Sequence, residues 1–553
     1  MKKSNKKNPW LASYPKGVEW DHPIASKPLY AILDQAAAKF PEHTAIDFLG
    51  KTYSYQELHD AVNCTARGLK RLGAKKGTKV GIMLPNCPHS VISYFAILKT
   101  GGTVVNLSPL AAPMELQHQI KDSGTKIVIS LDVKVLYEKI RAIADEGLID
   151  TLVTVRFAEA LPALKGCLFR VLKGRNLARV KKDAVHVEWS ALACAHDEEF
   201  EPAKINPAKD IAVLQYTGGT TGTPKAAELS HENLYANAQQ CALWCSSLKE
   251  GNERLLGVLP LFHCFAMTTI MNMGLFLGAA LILHPRFEIK AVLKDIAKKK
   301  PTLMPGVPSL FAALANEPSI KNYNLTSLKI CISGGAPLPM EIKQRFEHAA
   351  GCMLLEGYGL TEAAPVVAAN PLVGTQKACI GLPLPQTEIL IENMEKRGQF
   401  LGVDEIGELC VRGPQVMRGY WKNKKETDAV LKAGVLRTGD IGYFDKDGYF
   451  YIVDRRKDMI LTHGFNVYPR NIEEAIYKHA SVLEVAVIGV DDKKYGQAVK
   501  AFVVVREGQI LTEDILRGFL LNHLAKYEMP REFEFRESLP KTLIGKIDKK
   551  PLH

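Results

Sequence analysis

The chain has 553 residues, enough for several domains with large cores. Apolar residues make up 47% and charged ones 24%, as in an ordinary globular protein. Lys and Arg outnumber Asp and Glu by 71 to 59, a net charge of +12 that favours anionic partners. With no zinc-finger spacing and no nucleic-acid-binding motif, nucleic acid is excluded in favour of nucleotides, phosphorylated cofactors and anionic lipid.

The basic start, MKKSNKKNPW, is followed by no apolar run, so it reads as a frayed tail and not as a secretory signal. Lys79 to Leu84 predicts a strand, Val91 to Lys99 a helix, and Thr103 to Asn106 and Lys126 to Ser130 further strands. This alternation implies α/β architecture with mostly parallel, covered sheets. Lys165 to Lys182 holds seven Lys or Arg and no acid, interleaved with Leu164, Leu168, Phe169, Leu172, Leu177 and Val180. Two readings stay open: a segment lying on an anionic membrane, or an ordinary solvated basic helix.

Ile211 to Gln215 reads as a buried strand that breaks into YTGGTTGTPK, Tyr216 to Lys225. Gly218, Gly219 and Gly222 let backbone N–H groups approach an anion. Thr217, Thr220 and Thr221 add hydroxyl donors, and Lys225 adds a point charge. The spacing is not that of a Walker A loop. The bland alternative is a turn-rich surface loop, which needs neither the Thr run nor the Lys.

Eleven Cys are scattered without a CxxC pair, and all are expected to be reduced thiols. Cys241 and Cys245 lie one helical turn apart, with nothing nearby to complete a metal set. Leu255 to Pro285 has no charged residue, but Pro260, His263, Asn272, Gly274 and Gly278 interrupt it. It reads as a buried helix and strand, not a membrane span. Lys329 to Ser333 predicts a strand entering the loop Gly334-Gly335-Ala336-Pro337. A third loop runs Glu356-Gly357-Tyr358-Gly359-Leu360-Thr361-Glu362. There Tyr358 is suited to stack on a base and Glu362 to hold Mg2+ beside phosphates.

Beyond residue 376 short strands at Glu388 to Ile391 and Gly407 to Arg412 predict a small β-rich subdomain. Asp445 to Gly448 predicts a hairpin turn. Asp440, in Thr438-Gly439-Asp440, suits ribose hydroxyls, and Asp454 to Asp458 (DRRKD) is a charged break. From Asn471 onward the texture is helix, strand, strand, helix, and Pro540 to Lys546 sets a Lys in a flexible loop.

In order, YTGGTTGTPK, LPLFHCFA, GGAP, YGLTE, TGD, DRRKDMI, GFNVYP and PKTLIGK form a series. It resembles the adenylate-forming superfamily of acyl-CoA synthetases, luciferases and peptide-synthetase adenylation domains. The resemblance covers nearly the whole chain and is nearest to bacterial long-chain fatty acyl-CoA ligases. It implies a large N-terminal domain, residues 1–454, of two stacked αβ subdomains and a β-rich one. A small, mobile α+β domain, 455–553, follows.

By the same resemblance the substrates are a fatty acid, ATP with Mg2+, and coenzyme A. Lys546 matches the adenylation Lys, the Thr217–Lys225 loop the β,γ-phosphate grip, and Thr217 and Glu362 the Mg2+ ligands. Gly335, Ala336, Pro337, Gly357, Tyr358, Gly359 and Thr361 match the nucleotide surround, and Asp440 with Arg455 the ribose grip. His263 matches the residue that orients the thioester step, Lys457 the hinge, and Gly464 and Phe465 the pantetheine entry. Two residues depart from the pattern: Ala226, where Gly is usual, and His463, where Ser or Lys is commoner. A carrier-protein acyl-AMP ligase and a degenerate fatty-acid-binding protein are the rival readings. The expected location is cytoplasmic, with peripheral contact at an anionic membrane; a homodimer is compatible, and the oligomeric state is not legible.

Overall fold

The computed structural model describes residues 8–181, 183–192, 200–217, 224–462, 465–492, 496–542 and 546–553. Its first sheet runs, strand by strand across its width, His186–Glu188, Thr151–Val155, Ile127–Leu131, Lys79–Met83, Thr103–Asn106, Ile211–Thr217 and Lys225–Ser230. All neighbours are parallel except the last pair. The strands are apolar without alternation because both faces are covered; Val80, Val104, Ile129 and Val213 are buried. Parallel pairing also puts the C-terminal ends of six strands on one edge. The connections that follow Asn106, Leu131, Val155 and Thr217 therefore leave from the same side.

The second sheet has nine strands. Its parallel centre comprises Ala280–Leu283, Arg254–Gly257, Leu303–Gly306, Ile330–Ser333 and Met353–Gly359. Both sheets contribute to one continuous core. Helix Pro88–Lys99 is buried at every position, which explains why it is apolar all round. Its buried Lys99 is matched by Asp34 at 2.6 Å and Asn63 at 2.7 Å. The uncharged stretch from 255 to 285 forms a strand, the helical run Cys264–Phe276 with a π-turn at Met267–Asn272, and a second strand. Among the described residues no helix is long and apolar enough to cross a membrane.

The β-rich subdomain is antiparallel throughout. Its hairpin joins Val435–Phe444 to Phe450–Arg455, with Lys377 bonded to Asp445 (2.6 Å) and Asp447 (2.7 Å) across the turn. The C-terminal region has its own core, including Ile472, Val487, Val503 and Leu516. Helix Pro469–Tyr477, strands Val482–Asp492 and Gly496–Val505, and helix Glu513–Leu520 follow the expected order. An added edge strand, Glu532–Phe535, pairs parallel to Gly496–Val505. Its four residues alternate Glu and Phe and are half-exposed, too short a pattern to stand out in the sequence.

Candidate active site

A cavity of about 590 Å³ opens where the second sheet, the β-rich subdomain and the C-terminal region meet. One end is built on the central antiparallel strands. The register sets Asp440 opposite Arg455; the Asp440 carboxylate forms an ion pair with Arg455 Nε at 3.2 Å and accepts from the Tyr358 hydroxyl at 2.6 Å. Thr438 steadies this point, accepting from the Asp440 N–H at 3.0 Å and donating to the Leu409 carbonyl at 2.9 Å. A buried acid with one hydroxyl donor and one cation beside it, bordered by an aromatic ring, is shaped for a polyhydroxylated sugar and a flat base.

The opposite end holds Thr217 and Lys225, the residues that close one sheet strand and open the next. They are direct partners in the ladder, and the Thr217 hydroxyl donates to the Lys225 carbonyl at 3.4 Å. The Lys225 ammonium rests on the Glu426 carboxylate and over the Tyr420 ring, 5.5 Å from its centroid. The Tyr420 hydroxyl in turn donates to Glu362 Oε1 at 2.8 Å. Tyr420 and Glu426 were not anticipated from the sequence. Glu426 is 201 residues from Lys225 along the chain, and only the fold joins them.

Lys546, delivered by the C-terminal region, lines the same cavity beside Gly335. Gly335 has φ of +83°, and a Cβ there would lie 2.7 Å from Lys546 Cε. The positive φ favours glycine here, and the absent Cβ leaves room for the lysine side chain. Burial, with the Arg455 guanidinium adding to it, pulls the Lys546 ammonium down to about 8. Burial, and then the Lys546 charge, pushes His263 down to about 4, so its imidazole is neutral at pH 7. His263 caps the helical run at Cys264, its Nδ1 accepting from the Phe265 N–H at 3.4 Å.

A third limb is apolar, lined by Cys241, Trp244, Met273, Ile332, Val366 and Leu384. Cys241 and Cys245 belong here as packing residues: burial pushes the Cys245 thiol up to about 12, which leaves it inert. The ten cysteines among the described residues are all free, as expected.

Most of the predicted site residues converge on this cavity. Thr217, Lys225, His263, Gly335, Gly357, Tyr358, Gly359, Thr361, Glu362, Asp440, Arg455, Lys457 and Lys546 all line it. Ala336 and Pro337 follow Gly335 but are not in the lining, where Gly334 stands instead. Gly218, Gly219, Thr220, Thr221, Gly222 and Gly464 lie outside the described residues; Phe465 opens the short strand Phe465–Val467. Ala226 pairs with Tyr216 inside its strand and packs in the core. Among the described residues no three His, Cys, Asp or Glu gather as a metal site. Thr217 and Glu362 both line the cavity.

The family model described as "AMP-binding enzyme" matches residues 33–421, and the one described as "AMP-binding enzyme C-terminal domain" matches 471–546. The chain belongs to the AMP-binding enzyme family. Its curated relatives narrow the class. One from Bacillus subtilis, "Long-chain-fatty-acid--CoA ligase", is 43% identical over 98% of this chain and 96% of its own. Another of that name, from Escherichia coli O157:H7, is 37% identical over 99% and 98%. Among solved structures, ATP-bound MatB from Rhodopseudomonas palustris superposes with a TM-score of 0.83 at 29% identity, covering 95% of this chain and 98% of that one.

Proposed function

We propose that this chain is an AMP-forming long-chain fatty acid:CoA ligase. The observation that carries the reading is Lys546 lining one cavity with an apolar limb and the Asp440–Arg455–Tyr358 end. Around that ammonium a fatty carboxylate and the α-phosphate of ATP meet. Two anions must approach each other for the carboxylate oxygen to bond to the α-phosphorus and expel pyrophosphate, so cationic screening dominates the step. Lys546 and Arg455 provide it at the α-phosphate, and Lys225 holds the β,γ-phosphates with the 217–225 loop. Asp440 takes the ribose hydroxyls, while Tyr358 and the Gly335 and Gly357 backbones border adenine. Thr217 and Glu362 would hold Mg2+, which neutralises phosphate charge. In the second step the CoA sulfur attacks the acyl carbonyl and AMP leaves. His263, neutral at pH 7, orients that site and takes no proton, and Gly464 and Phe465 border the pantetheine entry.

The two steps need different walls around one site. The C-terminal domain, 455–553, turns against 1–454 about Lys457, close to its start. The enzyme works in the cytoplasm and touches the inner face of an anionic membrane.

ATP consumption over carboxylates from acetate to oleate, with and without CoA, tests the reading. Acyl-CoA made preferentially from long chains is the expected result. Acyl-AMP that accumulates despite CoA would transfer the assignment to a carrier-loading ligase, and absence of AMP with every acid to a binding protein. Retention of Lys225, Glu362, Asp440, Arg455 and Lys546 together argues against the last.

Glu426 faces the phosphate end with the wrong sign for ATP, so Lys225 must leave it when the polyphosphate arrives. Glu426→Gln is expected to lower the KM for ATP by about two- to five-fold, the worth of a partly exposed ion pair. Inhibition by pyrophosphate should tighten in parallel. A KM that rises instead would make Glu426 a residue needed to aim Lys225.

A further inference from the structure

A surface helix normally turns its apolar stripe inward. Helix Ala163–Lys173 does the opposite. It meets the domain through Gly166, where a Cβ would lie 2.6 Å from the Ala158 carbonyl oxygen, and through Phe169, whose ring is 5.1 Å from that of Phe157. At roughly 100° per residue, Leu164, Leu168, Val171 and Leu172 form a stripe on the other side. They are 84%, 55%, 80% and 69% exposed. At the same roughly 100° per residue Lys165 flanks this stripe, with its ammonium donating to the Leu49 carbonyl at 2.8 Å. Arg170 and Lys173 project from the other side of the helix; Arg175 and Arg179 follow, and all five are exposed. No acid occurs from Leu161 to Lys181.

The stripe continues beyond the helix. Leu110 and Met114 are 60% and 83% exposed after strand Thr103–Asn106, and Val135 is 71% exposed after Ile127–Leu131. These segments leave the same sheet edge as the helix, and a bridge between Val133 and Leu177 ties the rim together. The acids at this edge include Glu115, Glu138, Glu159, Asp132 and Glu188; Asp132 is buried, Glu138 lies 3.9 Å from Lys134 and Glu188 is paired with Arg156 at 2.7 Å. The phosphate loop leaves this edge too, after Thr217.

We propose that this sheet edge is the bilayer-docking surface of the protein. Helix Ala163–Lys173 lies in the headgroup layer of an anionic membrane, with its four aliphatic side chains at the acyl boundary and the positive charge of its basic, acid-free segment drawing it to the lipid surface. A lipid surface fits better than a protein: the helix stripe is aliphatic, with none of the Trp, Tyr or Arg anchors set in pockets that organise protein interfaces. A second copy docked face to face would bring two strongly basic, acid-free segments close together. The inference rests on the membrane contact proposed above and not on the ligase chemistry, since these side chains lie outside the cavity.

Co-sedimentation of the full chain with phosphatidylglycerol/phosphatidylcholine vesicles, and with phosphatidylcholine vesicles, tests it. The unmodified protein should sediment with the anionic vesicles and be released by salt. Leu168→Ser/Leu172→Ser and Arg170→Glu/Lys173→Glu should each weaken binding on the order of 10-fold or more. Both should keep the melting temperature and the ligase rate on dissolved fatty acid. Three results would overturn the proposal: unmodified protein left in the supernatant, both variants binding like the parent, or a dimer by light scattering that Leu168→Ser/Leu172→Ser converts to monomer. The last would make the edge an interface between copies.

Discussion

Lys546→Ala is expected to slow acyl-AMP formation by on the order of 10²–10³-fold, the usual loss when one preorganised charge-stabilising group is removed. Thioester formation from supplied acyl-AMP should be largely spared, because by then the α-phosphate has already reacted. Pyrophosphate release in a single turnover reads the first step, and acyl-CoA from added acyl-AMP reads the second. Equal losses in both would end the division of labour proposed for this lysine. A pH profile adds a second constraint. The Lys546 ammonium titrates at about 8 in the free enzyme, held low by burial and by Arg455. Only the charged form screens two anions, so kcat/KM for adenylation should fall as pH rises through about 8. In Lys546→Arg, whose guanidinium stays charged, that fall should disappear even where the rate is lower throughout. A fall that persists would assign the titration to another group.

Lys457→Pro is expected to do the reverse, sparing adenylation and cutting thioester formation by ~10²-fold, as for a catalytic constellation that cannot be assembled. The turn after strand Phe450–Arg455 is closed by the N–H groups of Asp458 and Met459 on the Arg455 carbonyl, at 3.0 and 3.2 Å. A proline nitrogen at 457 removes neither donor but presses Arg456, just before it, away from the helical conformation, so the adenylation rate and melting temperature of the variant report whether Lys546 stays seated. What proline removes is rotation about φ, the motion a hinge needs. An undiminished overall rate in this variant would show that the domain turns elsewhere. Measured together, the two variants separate the roles: one loses the first step and keeps the second, the other the opposite.

Much of this protein was legible before any coordinates. The parallel sheets announced themselves in runs such as Lys79 to Leu84 and Lys329 to Ser333, since a strand covered on both faces must be apolar without alternation. The loops of the site were legible for a related reason: Gly, Thr and Lys in YTGGTTGTPK, and the acids of YGLTE and TGD, are costly to keep at strand ends without a ligand to meet. The sequence also marked the basic stretch after Leu164, but left open which way its apolar residues face. That direction depends on Gly166 and Phe169 finding Ala158 and Phe157, contacts made after the chain folds back. The same holds for Glu426 on Lys225, Tyr420 on Glu362, and Lys546 against Gly335. Local pattern determines which element a segment forms, because its period and turn chemistry act over a few residues. Which charges meet across a cavity is decided by the packing of whole sheets and domains, over hundreds of residues that no local pattern spans.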